Sequence, residues 1–166
     1  MSIATGVSLE EYLHTEYEPD CDYVDGVLED RNAGKRRHSR TQKRLLEVLS
    51  PLVARLGLEP LPEPRLQVSA TRVRIPDVCL TPTSDDSEVV QAPPPLCIEV
   101  RSSEDRLSRL LKCVADYLAF GVPMVWVIDP YDCEAFVVTQ EDPAMRPVET
   151  LCWNDVVVQL NEILPE

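Results

Sequence analysis

The sequence predicts an α/β domain, a mixed β-sheet flanked by α-helices, and three observations carry that prediction. Between 96 and 129 the pattern runs strand, helix, strand, from "LCIEV" through a leucine-bearing helical repeat to "MVWVID". Such a crossover unit joins parallel strands and lays its helix on the sheet. Earlier strand pieces are joined by short turns, as in "DYVDGVLED", and short turns make antiparallel hairpins. The third observation is size and composition: 166 residues, 44% hydrophobic and 27% charged, suit one globular domain, taken as residues 1–166.

Taken in order, the elements begin with a helix at about 8–16, opened by Ser8 with Glu11 three residues on, the spacing of a capping box. "DYVDGVLED" gives two strands about a turn at Asp25-Gly26. From about 36 to 56, Leu45, Leu49, Leu52 and Leu56 fall on one helical stripe, and Pro51 is expected to kink or divide the helix. "EPLPEP" at 59–64 reads as a stiff extended connector. "RLQVSATRVRIPDVCL" reads as two strands around Ala70-Thr71, and 82–95 as a polar, proline-rich surface loop. After the strand at 96–101, Ser102 with Asp105 is expected to open a helix burying Leu107, Leu110, Leu111, Val114 and Leu118, which Gly121 and Pro123 end. Strands follow at 124–129 and 134–139, and 156–160 is an edge strand or a short helix.

Several function classes are excluded or narrowed by composition. The start of the chain lacks a basic segment followed by an apolar one, and the longest weakly polar run, 118–128, is broken by Gly121 and Pro123, so neither a signal peptide nor a membrane span is expected. Six cysteines at irregular intervals form no Cys-x-x-Cys pair, which argues against zinc. Cys79, Cys97 and Cys113 sit in apolar patterns as reduced thiols, and cytoplasmic residence is the expectation. A net charge of −13 opposes non-specific nucleic-acid binding by the whole surface. In "KRRHSRTQKR", residues 35–44, Lys35, Arg36, Arg37, Arg40, Lys43 and Arg44 stand together with no acid, so a polyanion is attracted here or nowhere. The alternative is a solvated helix start paired with the abundant acids.

Chemistry enters through two carboxylates. Glu99 interrupts the apolar run Leu96-Cys97-Ile98-Glu99-Val100, and Asp77 follows a proline in "RVRIPDVCL". A buried carboxylate is neutralised, ion-paired or bound to a metal. With side chains alternating along a strand, Ile75, Asp77 and Cys79 share one face and Cys97, Glu99 and Arg101 another. If the two strands are neighbours in register the acids converge, and a hard divalent ion is the usual solution for paired oxygen ligands.

"PD", with Glu99 following Asp77 by 22 residues in "IEVR", resembles the PD-(D/E)XK nuclease core. More closely, "YVDGVLED", the histidine of "KRRHSRTQKRLLEVL", "RIPDVCL", "PPPLCIEVRSSEDRLSRLLKCVADYLAFGVPMVWVIDP" and "EAFVVT" resemble, in order, the Uma-type family of restriction-endonuclease-like proteins, over about residues 8–139. The resemblance implies a restriction-endonuclease-like fold and a Mg²⁺- or Mn²⁺-dependent endonuclease acting on DNA. It implies Asp77, Glu99 and the carbonyl of Val100 as metal ligands, with Lys112 on the following helix serving the attacking water. The core motif wants lysine two residues after Glu99, and Arg101 stands there. Arginine can bind phosphate but cannot be a general base. Arg101, His38, Arg37 and Arg40 are the candidate nucleic-acid contacts, and Glu29 the candidate additional acid, since Val27 stands where the family carries one. Cleavage of both strands of a duplex would favour a homodimer, by geometry and by analogy with the family.

Taken singly, each residue has a plainer reading. Asp77 suits a turn, Glu99 could pair with Arg101 or Arg74, and Lys112 suits a solvent-facing helix position. Three functions therefore stay open at this point: a metal-dependent phosphodiesterase, a nuclease fold that only binds, and a homodimer stabilised by an ion-pair network without metal.

Overall fold

The computed structural model describes residues 3–31 and 34–164; residues 1, 2, 32, 33, 165 and 166 of the expected domain lie outside them. Chain order is β1 (Ile3–Thr5), α1 (Leu9–Leu13), β2 (Cys21–Val24), β3 (Val27–Asp30), α2 (Arg36–Val53), β4 (Leu58–Pro62), β5 (Leu66–Ser69), β6 (Arg72–Arg74), β7 (Val78–Pro82), β8 (Cys97–Val100), α3 (Leu107–Phe120), β9 (Met124–Asp129), β10 (Glu134–Thr139), β11 (Arg146–Val148), β12 (Thr150–Trp153), β13 (Val156–Gln159) and α4 (Leu160–Ile163). A six-stranded sheet, β11-β10-β9-β8-β7-β4, is mixed: β8 and β9 run parallel across the α3 crossover and the other neighbours antiparallel. A second, antiparallel sheet has the order β1-β3-β2-β6-β5, and β12 with β13 forms a hairpin. The β2–β3 turn needs positive φ at both central residues, which Asp25 (50°) and Gly26 (88°) adopt.

Strand alternation divides the core into two layers. Val78, Leu80, Ile98, Val100, Trp126 and Ile128 pack with Leu45, Leu49 and Val53 of α2. Cys79, Cys97, Val125 and Val127 pack on the opposite face with Leu110, Cys113, Val114 and Tyr117 of α3. Each fully buried leucine or valine contributes about 1.5–3 kcal/mol. Helices thus flank the mixed sheet on both faces, and Glu99, in phase with Cys97, faces α3.

The structure corrects several boundaries. α1 spans Leu9–Leu13, with the Glu11 N–H donating to Ser8 Oγ at 3.1 Å. α2 runs through Pro51 to Val53. Pro51 and Glu47 are both exposed, so water can take the carbonyl that the missing proline N–H leaves. The 59–64 connector is instead the edge strand β4, paired with β7. Pro60 and Pro62, two residues apart, turn the same edge of the strand outward, where no ladder donor is needed. "RVRIPDVCL" is not one strand: it breaks at Ile75-Pro76-Asp77, and β6 and β7 belong to different sheets. Ser102 and Asp105 close a turn, the Ser102 N–H donating to Asp105 Oδ2 at 2.6 Å, and α3 starts only at Leu107. Its buried face is Leu110, Cys113, Val114 and Tyr117, an i, i+3, i+4, i+7 set, while Leu107 and Leu111 are exposed. Segment 156–160 is a strand followed by the short α4, and β12 before it was not anticipated from the sequence. Among the described residues no helix is long and apolar enough to cross a membrane.

Candidate active site

The register of β7 and β8, Val78 to Ile98 and Cys79 to Cys97, continues to set Asp77 opposite Glu99. Pro76 has ended regular strand there, and the Asp77 side chain takes the place of a ladder carbonyl: the Val100 N–H donates to Asp77 Oδ2 at 2.7 Å. The other oxygen, Oδ1, lies 3.3 Å from Arg31 Nη2 and 3.2 Å from His38 Nε2. Gln42 Nε2 donates to the Asp77 carbonyl at 2.8 Å. Two turns of α2 therefore grip the residue from one side and β8 from the other.

Glu99 is buried, 8% exposed, and accepts a hydrogen bond from Tyr117 Oη at 2.6 Å. Burial first, and then the neighbouring charge of Asp77, push its pKa up to about 8, against the Tyr117 bond and the charges of Arg31 and Arg109. For His38, burial opposes the charged imidazolium, but the hydrogen bond and charge of Asp77 outweigh it and the pKa is raised.

Beside this pair lies a buried network. Arg74, 1% exposed, reaches Asp22 Oδ2 at 3.1 Å, Glu29 Oε2 at 2.8 Å and Asp116 Oδ2 at 2.8 Å. Arg109 Nη2 shares Asp22 Oδ2 at 2.8 Å, and the Ile75 N–H donates to Asp22 Oδ1 at 3.1 Å. Arg31, Arg109, Arg74 and Asp22 carried no spacing signal in the sequence. The clue available was that isolated charges at 22, 74 and 109 interrupt otherwise apolar patterns.

Of the sequence candidates, Asp77, Glu99, Val100 and His38 come together. Glu29 is committed to Arg74. Arg101 turns to Asp129, Nη1 to Oδ2 at 2.5 Å, so neither Arg101 nor Arg74 is the partner of Glu99. Arg37 donates to the Pro130 carbonyl at 3.3 Å and lies over the Tyr131 ring, while Arg40 is exposed beside Lys43 and Arg44. Lys112 is exposed, with no hydrogen-bond or ion-pair partner among the described residues. It lies three residues, and so about one turn, from Arg109.

Asp77, Glu99 and the Val100 carbonyl are oxygen donors of the kind that a hard divalent cation takes. A strand residue turns its N–H and C=O to the same edge, so the Val100 carbonyl shares the edge that Asp77 caps. Burial and then the neighbouring charge of Asp77 disfavour an ionised Glu99, and a cation shared with Asp77 would offset both. Among the described residues no group of three or more His, Cys, Asp or Glu side chains assembles for a metal. Two carboxylates and a carbonyl leave the remaining positions to water, an arrangement that Mg²⁺ accepts.

A mixed sheet flanked on both faces by helices, with paired acids where two of its strands diverge, defines a restriction-endonuclease-like protein. The chain belongs to the Uma2 family ("Putative restriction endonuclease"), whose model matches residues 9–166. It is similar in fold to a "putative nuclease belonging to DUF820 from Anabaena variabilis ATCC 29413", with a TM-score of 0.82 and 19% identity over 95% of this chain and 97% of that one. A DrdV–DNA complex solved by cryoEM matches with a TM-score of 0.46 and 18% identity, covering 76% of this chain and 10% of that one. None of the curated proteins matches.

Proposed function

We propose that this protein is a divalent-metal-dependent endonuclease that hydrolyses DNA phosphodiesters, with Asp77, Glu99 and the Val100 carbonyl as the ligands of Mg²⁺ or Mn²⁺. The observation that carries the reading is the bond from the Val100 N–H to Asp77, which sets two buried carboxylates opposite each other at the open end of a strand pair. When bound, the cation supplies charge to phosphoryl oxygens and acidifies water. His38 fixes Asp77 and is a candidate for phosphate contact. Lys112, exposed and about one turn from Arg109, is the candidate for positioning the attacking water. Arg101 and the exposed arginines of α2, Arg37 and Arg40, would contact flanking phosphates. A homodimer in the cytoplasm belongs to this reading, since cutting both strands takes two copies.

The test is cleavage of single-stranded, duplex and branched DNA with Mn²⁺, comparing wild type with Asp77→Ala. Cleavage by the wild type alone is the expected result. Absence of cleavage on all three substrates would sink the enzymatic reading, and equal cleavage by the variant would assign the activity elsewhere.

A further inference from the structure

Six side-chain polar atoms are buried with no hydrogen-bond partner among the described residues. Four of them, His38 Nδ1, Arg101 Nε, Arg109 Nε and Tyr131 Oη, belong to residues grouped about the acid pair and the C-terminal ends of β8 and β9. An arginine Nε–H and a tyrosine O–H are donors, so this end of the sheet holds hydrogen-bond donors that face no acceptor.

Two of these donors hang on one carboxylate. Asp129, the last residue of β9, is 3% exposed and uses both its oxygens. Oδ2 takes Arg101 Nη1 at 2.5 Å, while Oδ1 takes the N–H groups of Tyr131 at 2.9 Å and Asp132 at 3.1 Å. The guanidinium is thereby fixed by one corner while its buried Nε has no partner among the described residues, and the turn that carries Tyr131 is fixed with it. Arg37 adds a second cation, its guanidinium 5.9 Å from the Tyr131 ring centre and bonded to the Pro130 carbonyl. Lys35 is the third cation on this side, but Glu104 holds it at 2.8 Å.

We propose that Arg101 and Tyr131, both held by Asp129, form an anion subsite for the phosphodiester neighbouring the one at Asp77 and Glu99, with Asp129 as its positioning residue. The proposal rests on the nuclease reading and gives it a second point of grip on the strand. A phosphodiester presents two oxygens that share its negative charge, which suit an Nε–H and an O–H on residues held by one carboxylate, and arginine is well shaped for it. Arg101 follows Glu99 by two residues, so the subsite lies next to the acid pair along the chain. The arrangement also explains how arginine is accommodated where the nuclease core carries lysine: Asp129 turns its charge away from the acid pair.

The test is equilibrium binding of a short fluorescent single-stranded oligodeoxynucleotide to the full chain, with Ca²⁺ present, over a series of salt concentrations. Arg101→Gln is expected to weaken binding about tenfold and to lower the slope of log affinity against log salt by about 0.7, the loss of one phosphate contact on a single strand. Tyr131→Phe removes a neutral donor, so binding weakens roughly two- to tenfold at unchanged slope. Asp129→Asn keeps the charge of Arg101 but loosens its hold, so affinity falls with the slope retained. Thermal unfolding of each variant separates these effects from loss of fold, and if Asp129→Asn does not fold, the other two carry the test. Wild-type affinity and slope in both Arg101→Gln and Tyr131→Phe would overturn the subsite and leave the nuclease reading standing. A wild type that binds neither this oligonucleotide nor a duplex or branched DNA even at low salt would overturn both.

Discussion

Asp77 accepts the backbone N–H of Val100 at 2.7 Å, and this bond sets a carboxylate of one strand opposite Glu99 on the next. A ladder carbonyl in the same place would satisfy the N–H equally well. A side-chain carboxylate adds a second oxygen, free to take Arg31 and His38. Structure and candidate chemistry therefore share one residue, and its substitution has two separable consequences.

The first is on stability. Asp77→Ala leaves the buried Val100 N–H without an acceptor, which costs about 1–3 kcal/mol. Urea unfolding without metal is expected to show a lower midpoint at unchanged slope. A variant as stable as the wild type would mean that the bond contributes nothing.

Glu99 gives a pH signature in the absence of metal. Its folded-state pKa, about 8, is above the ordinary carboxylate value, so the protonated form is favoured by folding. Its contribution is fully present below about pH 4.3, the ordinary glutamate value, and is lost as pH rises towards 8. The stability of the wild type relative to Glu99→Gln is expected to fall across that window in EDTA. Asp22, whose pKa burial also raises, and His38 titrate in both proteins and largely cancel from the difference. A difference flat in pH would mean that Glu99 is ionised throughout.

Arg74 is the keystone of the acid network beside the site. Arg74→Met leaves Asp22, Glu29 and Asp116 short of a cation, and breaking a buried pair from one side costs about 3–5 kcal/mol. Chemical denaturation checks this directly, and a loss below about 1 kcal/mol would show that Arg109, on Asp22, and Arg72, whose Nη1 lies 2.8 Å from Asp116 Oδ1, compensate.

Lys112 offers a test without that complication. It is exposed, so Lys112→Ala is expected to change stability by no more than about 0.5 kcal/mol. If it serves the attacking water, cleavage falls by about 100-fold or more at an unchanged unfolding temperature. Unchanged cleavage would remove Lys112 from the mechanism.

Much of this was legible in the sequence where one signal acted alone. Met124–Asp129 and Glu134–Thr139 follow from apolar, β-branched runs with Pro130 between them, and the Asp25-Gly26 turn from its φ requirement. Glu99 was visible as a charge inside an apolar run. Strand β4 was hidden because two prolines look like a connector until an edge is known to need no donors on one side. The buried face of α3 was misjudged because leucine is the stronger hydrophobic signal, yet Cys113 and Tyr117 do the packing. Arg31 and Arg109 lie far from Asp77 in the chain, and their charges meet the acids only because two sheets and α3 close around them.

The most direct measurement is thermal unfolding with and without millimolar Mn²⁺ on the wild type, Asp77→Ala and Glu99→Ala. A cation held by both acids raises the unfolding temperature of the wild type alone, because a ligand bound only to the folded state stabilises it. No rise in the wild type, or equal rises in all three proteins, would contradict a metal shared by Asp77 and Glu99.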